Sequence, residues 1–397
     1  MFSYIDQYEQ ELLEGVLPFW MEHSLDREHG GYFTCLTTDG RCYDPRKYMW
    51  LQGRQVWMLA KMFNVYEKRQ EWLDASRLGL DFIRRFGRNE DGRVYFSLTR
   101  DGQPASMQRK IFSECFYVMA LAEYFRATGD QSVADEALGV FNLIEHLIAY
   151  PEKLGRPVLA GAVRVNSLAV PMITLGLLEE LEGLMPPETI GAKGAVCLNA
   201  MMRHYDSERR LLREFVSDGE SIEALPEGRL VNPGHSIEAA WFLMHYAQRR
   251  NDQEIFKQGL AILEGSLDFG WDPQYGGLFY FMDSAGYPLP QLEHDMKLWW
   301  PHTEALYALV AAWCATEDEK YVSWHKRVHD YSFEHFADPI NGEWFGYCNR
   351  RGDVTHQAKG GPYKGCFHLP RALLFSIQAL KRHEGNVPGQ VSGKFAS

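Results

Sequence analysis

Five short segments concentrate the side chains able to move protons or to hold a developing negative charge. They are Trp50-Leu-Gln-Gly-Arg-Gln-Val-Trp57 with Arg54, Ile111-Phe-Ser-Glu-Cys-Phe116 with Glu114, Asn232-Pro-Gly-His-Ser-Ile-Glu-Ala-Ala-Trp241 with His235 and Glu238, Lys297-Leu-Trp-Trp-Pro-His-Thr-Glu304 with Trp300, His302 and Glu304, and Lys364-Gly-Cys-Phe-His-Leu-Pro-Arg371 with His368 and Arg371. His235 follows Pro-Gly, a helix-start signal, and Glu238 stands three residues on, on the same face. His368 is followed at the same spacing by Arg371. Near a helix N-terminus the dipole disfavours the imidazolium, which keeps a histidine neutral and able to take a proton near pH 7. Two such histidines suit acid–base chemistry, and two arginines suit the holding of an oxygen that gains charge. The carboxylates Glu114, Glu238, Glu293, Asp295 and Glu304 leave a two-carboxylate glycosidase open as a second reading.

Other constellations carry less. His325-Lys-Arg-Val-His329 has the spacing of a zinc pair but lacks the Glu of HExxH and falls on an expected outer, solvated helix face. No P-loop, GxGxxG or GxSxG sequence occurs, so no standard nucleotide cradle or serine nucleophile elbow is encoded.

The elements that must position these segments repeat along the chain. An acidic or amide turn residue, glycines and an alternating aromatic segment recur at Asp26-Arg-Glu-His-Gly-Gly-Tyr-Phe, Asn89-Glu-Asp-Gly-Arg-Val-Tyr-Phe, Asp206, Asp272-Pro-Gln-Tyr-Gly-Gly-Leu-Phe and Asp338-Pro-Ile-Asn-Gly-Glu-Trp-Phe. Each reads as a small β-hairpin. The starts lie 63, 117, 66 and 66 residues apart, so a sixth, degenerate copy is expected in the Pro/Gly-rich 150–161. Between hairpins run two helix-period segments joined by a short polar turn at 67–70, 127–130, 185–188, 251–254 and 315–318. Six such helix pairs predict an all-α fold, an (α/α)6 toroid of six inner and six outer helices, in preference to an open solenoid. Residues 1–384 would form a single domain and 385–397 a flexible polar tail. Inner helices would begin near Trp50, Phe112, Asn166, His235, His302 and His368, so the unusual residues would converge on one mouth. Glu114, Glu238, His302, Trp57 and Trp300 are expected to contact substrate there.

Composition narrows the partners. The 397 residues are 46% apolar and 24% charged with a net charge of −12, and no basic run occurs, which argues against nucleic acid or an anionic membrane. A small polar ligand fits better. The start of the sequence lacks the pattern of a signal peptide, no stretch approaches a membrane span, and seven scattered cysteines without CxxC suit a reducing, cytoplasmic setting. No metal site is expected.

These segments resemble the N-acylglucosamine 2-epimerase family, whose mammalian members are also called renin-binding protein. The resemblance runs from about 19 to about 374 and includes Phe19-Trp-Met-Glu-His-Ser24, Gly30-Gly-Tyr-Phe-Thr-Cys35, Trp50-Leu-Gln-Gly-Arg-Gln-Val-Trp57, Ile111-Phe-Ser-Glu-Cys-Phe116, Leu168-Ala-Val-Pro-Met172, Asn232-Pro-Gly-His235, Met296-Lys-Leu-Trp-Trp-Pro-His302, Gly342-Glu-Trp-Phe-Gly-Tyr347 and Lys364-Gly-Cys-Phe-His-Leu-Pro-Arg371. It implies an (α/α)6 homodimer that interconverts N-acetylglucosamine and N-acetylmannosamine, needs no cofactor for the chemistry, and takes ATP as an activator that is not consumed. It also implies catalytic histidines at His235 and His368 and active-site roles for Arg54, Glu304 and Arg371. Cellobiose and mannose epimerases and ketose–aldose isomerases share the fold, and a non-catalytic binding protein is the remaining alternative.

Overall fold

Helices whose apolar residues run all the way round must be covered on every side, and those with one apolar stripe can face water. The computed structural model, which describes residues 1–157 and 160–385, sorts its helices by this rule. The chain begins with α1 (Ile5–Gln10) and α2 (Leu17–His23), joined by a π-helical stretch over Glu11–Val16. Pairs follow: α3 (Met49–Val65) with α4 (Gln70–Phe86), α5 (Phe112–Thr128) with α6 (Gln131–Ala149), and α7 (Ala169–Glu180) with α8 (Pro187–Met202). After the single turn α9 (Pro226–Arg229) come α10 (Pro233–Arg250) with α11 (Gln253–Gly270), α12 (Trp299–Thr316) with α13 (Glu319–His335), and finally α14 (His368–His383).

Helix α3 is buried continuously from Leu51 to Ala60, whereas α4 buries only Trp72, Ala75, Ser76, Gly79, Leu80, Phe82 and Ile83 on one stripe. The first is an inner helix and the second an outer one. Among the described residues α3, α5, α7, α10, α12 and α14 form the inner ring in that order, and α14 returns to touch α3. The outer partner of α14 is the N-terminal helix, so the two ends of the chain close the ring. Trp20 Nε1 donates to Glu343 at 2.5 Å and Trp344 Nε1 donates to Glu11 at 2.8 Å across this seam. The expected inner starts at Trp50, Phe112, Asn166, His235, His302 and His368 fall within about one helical turn of the observed ones.

The short inner-to-outer turns share one device. Gly129, Asn251 and Glu317 end their helices in the left-handed conformation, and the next residue, Asp130, Asp252 or Asp318, caps the following helix by accepting from its first N–H groups.

The hairpins form at the acidic residues that the sequence marks, and each reaches into the next repeat. Lys47–Tyr48 pairs antiparallel with Ser97–Leu98, Val165–Ser167 with Phe215–Ser217, Leu230–Val231 with Met282–Asp283, and Lys297–Leu298 with Tyr347–Cys348. The acids hold the turns. Oδ1 of Asp272 accepts from the N–H groups of Gln274 and Tyr275, while Oδ2 takes Arg350 at 2.9 Å and the buried Lys297 at 3.2 Å. Asp26 binds Lys47 and Arg100 in the same way, and Asp338 binds Lys359 at 2.8 Å. Burial alone would raise these carboxyls, but the cations and N–H groups outweigh it and hold Asp272 and Asp338 at about 2.

The sixth hairpin expected at 150–161 is corrected: that stretch holds a 3-10 turn, Pro151–Leu154, and among its described residues no strand pairing. The one acidic residue of the stretch, Glu152, lies inside that turn. Most of the expected tail, residues 386–397, lies outside the described residues. Among the described residues no helix is long and apolar enough to cross a membrane.

Candidate active site

Inner helices in a ring present every third or fourth residue to the axis, so side chains meet in layers. The upper layers join the predicted side chains. His368 Nδ1 hydrogen-bonds Glu304 Oε1 at 2.7 Å, and Arg371 Nη2 donates to Glu304 Oε1 at 2.6 Å and to Glu238 Oε1 at 2.7 Å. Trp241 Nε1 donates to the other oxygen of Glu304 at 2.9 Å. Arg54 and Arg371 lie against the same Phe367 ring at 4.8 and 4.5 Å, and Arg54 is further clamped over Phe116 at 4.0 Å and Trp50 at 4.4 Å. Among the described residues its buried Nε has no hydrogen-bond partner. Trp300 packs against both imidazoles, its ring centre 5.2 Å from that of His235 and 5.7 Å from that of His368.

Below this layer an aromatic floor closes the ring. Trp241, Tyr307 and Phe375 meet edge to face at 5.2 Å, 5.2 Å and 6.3 Å, and Trp57 joins Phe375 at 6.1 Å. Beneath it, at the C-terminal ends of the inner helices, Lys61 pairs with Glu123 at 2.6 Å, Arg126 with Glu180 at 3.0 Å, and Arg249 with Glu179 at 2.6 Å. Cations there complement the negative ends of the helices.

The expected residues separate into two groups. His235, His368, Arg54, Glu304, Arg371, Glu238 and Trp300 are brought together as described. Glu114, His302 and Trp57, expected to contact substrate, are not among them. Glu114 accepts from Arg93 Nε at 2.6 Å and from the N–H of Val94, and His302 Nε2 accepts from the N–H of Leu278 while Nδ1 meets the carbonyl of Leu298. Both are fully buried and tie a hairpin to its inner helix. Gln52 does the same for Tyr32 and Ser236 for Leu212, at the matching point of their repeats. Burial presses His302 down to about 3, so it stays neutral. Trp57 is 1% exposed and belongs to the floor.

Glu214 was missed. It comes from the hairpin after α8, and its Oε1 lies 2.8 Å from Nδ1 of His235. A faint signal exists: two residues past the tethered hairpin position the chain carries Thr34, Phe96, Tyr280 and Gly346 in the other repeats, and only here a charge.

Each imidazole is thus anchored through Nδ1 to a carboxylate, which puts the proton there and leaves Nε2 as the working atom. Their surroundings differ. Burial, Arg54 and Arg371 together hold His368 well below the usual imidazole range. Burial also works against a charge on His235, but Glu214, with Glu238 and Glu304 behind it, outweighs burial and raises His235. Two titrating groups pushed apart in this way suit an acid–base pair. Desolvation draws Arg54 down to about 9, so it remains a cation at neutral pH. Glu238, Glu304 and His368 also offer ligand atoms within 4.8 Å of one another, but the cation between the carboxylates is the guanidinium of Arg371. The same sharing weakens the glycosidase reading, which needs two carboxyl groups flanking a sugar bond.

The family model of N-acylglucosamine 2-epimerase matches residues 31–162 and 190–372. The chain belongs to this family. An N-acylglucosamine 2-epimerase of Mus musculus is 44% identical over 384 residues, covering 94% of this chain and 90% of the mouse protein, and that of Homo sapiens is 43% identical over 377 residues, covering 93% and 88%. The structure of a cellobiose 2-epimerase from Bacillus thermoamylovorans superposes with a TM-score of 0.83 at 22% identity, covering 95% of this chain and 100% of that one, which bears on the fold alone.

Proposed function

We propose that this chain is an N-acylglucosamine 2-epimerase that interconverts N-acetylglucosamine and N-acetylmannosamine by moving the proton on C2. The observation that carries the reading is the pair of imidazoles packed against one Trp300, each anchored at Nδ1 by a carboxylate and pushed in opposite directions. Inversion at C2 requires a proton taken from one face and another given to the opposite face of an open-chain sugar. That proton is acidic only because the aldehyde is adjacent. His368 Nε2 takes it, the C1 oxygen of the resulting enolate is held by Arg54 and Arg371, and His235 delivers the second proton to C2 from the opposite face; the reverse reaction exchanges the roles. General acid–base steps of this kind contribute about 10²–10⁴-fold each. Glu304 orients His368 and balances Arg371, and Trp300 and Glu238 complete the wall against which the sugar lies.

Family membership supports three further parts of the reading: a homodimer, activation by ATP, and a cytoplasmic setting. Val196 on α8 (69% exposed) and Ile148 on α6 (38%) are apolar and uncovered, which suits a partner surface. The seven cysteines are unpaired, which suits a reducing compartment. Sedimentation at micromolar concentration reads the dimer, and rates with and without ATP read the activation.

The deciding experiment is an NMR time course of N-acetylmannosamine in D2O. The epimerase gives N-acetylglucosamine deuterated at C2, whereas no product and no exchange would reject the reading in favour of a non-catalytic protein.

A further inference from the structure

Glu214 and Glu304 hold the two histidines alike but are not equivalent. Glu304 is shared among His368, Arg371 and Trp241, so its charge is already balanced by a guanidinium at 2.6 Å. Glu214 is buried to 6% exposure, and among the described residues its ion pairs reach only His235. Its main chain is fixed from both sides, its N–H donating to the Leu230 carbonyl at 2.8 Å and its carbonyl accepting from the Leu168 N–H at 2.9 Å. These bonds join the starts of α7 and α10. His235 is in turn capped into place by Asn232, which accepts from its backbone N–H. Around His235 the other polar groups are Glu238 on its own helix, Glu304 on α12 and His368 on α14, while Tyr280 approaches Glu214 from the neighbouring hairpin and the buried His204 from its own. No arginine or lysine forms an ion pair with Glu214 among the described residues.

We propose that Glu214 is the positioning residue that fixes one proton of His235 on Nδ1 and keeps that imidazole charged. This rests on the two-histidine reading above and deepens it. An unbalanced buried carboxylate next to an imidazole stabilises its charged form, whereas a carboxylate already bound to an arginine does so far less. The sign follows. His368 must be neutral, so kcat/KM falls at acid pH as it protonates. His235 must be protonated, so kcat/KM falls at alkaline pH through its raised pKa.

The test compares Glu214→Gln and Glu214→Ala with the parent across pH. Glutamine keeps an acceptor oxygen and the size of the side chain but removes the charge. In Glu214→Gln the alkaline limb should move down by about 1 pH unit or more while the acid limb stays. At neutral pH deuterium wash-in from the His368 face should then exceed net epimerisation by about tenfold. Glu214→Ala should lose the alkaline limb and the tautomer together. A purely structural Glu214 would lower the melting temperature and leave the limb where it was, and an unmoved limb in Glu214→Gln overturns the inference even if the alanine variant does not fold. His235→Asn separates the two levels: if it epimerises normally the two-histidine reading fails, and if it is inactive while Glu214→Gln keeps its limb, only the role of Glu214 fails.

Discussion

Glu304→Gln tests the charge balance of the site without changing its volume. The carboxylate is 1% exposed and accepts three bonds, from Arg371 and His368 on Oε1 and from Trp241 on Oε2. A glutamine oxygen can stay where Arg371 and His368 converge, but its amide nitrogen then faces the Trp241 N–H, donor against donor. One charge-assisted bond of about 1.5–3 kcal/mol is lost outright. Arg371 is left with Glu238 as its remaining ion-pair partner, and removing one member of a buried ion pair costs about 3–5 kcal/mol. We expect Glu304→Gln to lower the unfolding free energy by about that amount and to reduce kcat by about 10²–10⁴, because the His368 Nδ1–H no longer leans on a charge and Nε2 becomes a weaker base. Urea unfolding reads the first quantity and C2 deuterium exchange by NMR the second. The double variant Glu304→Gln/Arg371→Met should lose less stability than the sum of the single changes, since opposite charges leave together. A Glu304→Gln enzyme with kcat within about tenfold of the parent and stability within about 1 kcal/mol would refute the reasoning.

Three further outcomes follow from the same geometry. His235→Asn and His368→Asn should each abolish net epimerisation while one washes deuterium into N-acetylglucosamine and the other into N-acetylmannosamine; if either keeps epimerisation within about tenfold, that histidine leaves the mechanism. A Cβ at Gly53 would meet the Phe116 carbonyl oxygen at 2.5 Å where α3 crosses α5, so Gly53→Ala should cost about 1–3 kcal/mol and raise KM by displacing Arg54 from Phe116; an unchanged melting temperature would show that the crossing is slack. Asp272 and Asp338 titrate at about 2 in the fold against an ordinary 3.8, so the stability they contribute is complete above about pH 4 and lost as pH falls through 2. Asp272→Asn should flatten the acid limb of the unfolding free energy, and an identical slope in parent and variant would count against that assignment.

The repeat that organises this molecule is written in its sequence. Acidic turn residues, polar inner-to-outer turns and helix-period segments recur at one spacing, and each is a local preference of the chain, so the six inner starts could be placed within about a turn. Which residues of each start face the axis was not legible. Successive helix residues turn by about 100°, so His302, two residues from both Trp300 and Glu304, points to the opposite side and meets a hairpin backbone. Glu114 diverges from Phe116 for the same reason. The roll of each helix about its own axis is set by packing against two neighbours and an outer partner, and no local pattern encodes it. Glu214 lies further out of reach still: it is 21 residues before His235 and on a different element, and only the hairpin that joins the starts of α7 and α10 carries it to the imidazole. The sequence by itself determined the ring and the position of its mouth, because these follow from periodicity and turn chemistry; the balance of charge that separates an acid from a base was decided by tertiary structure, because it depends on which carboxylates a distant arginine has already neutralised.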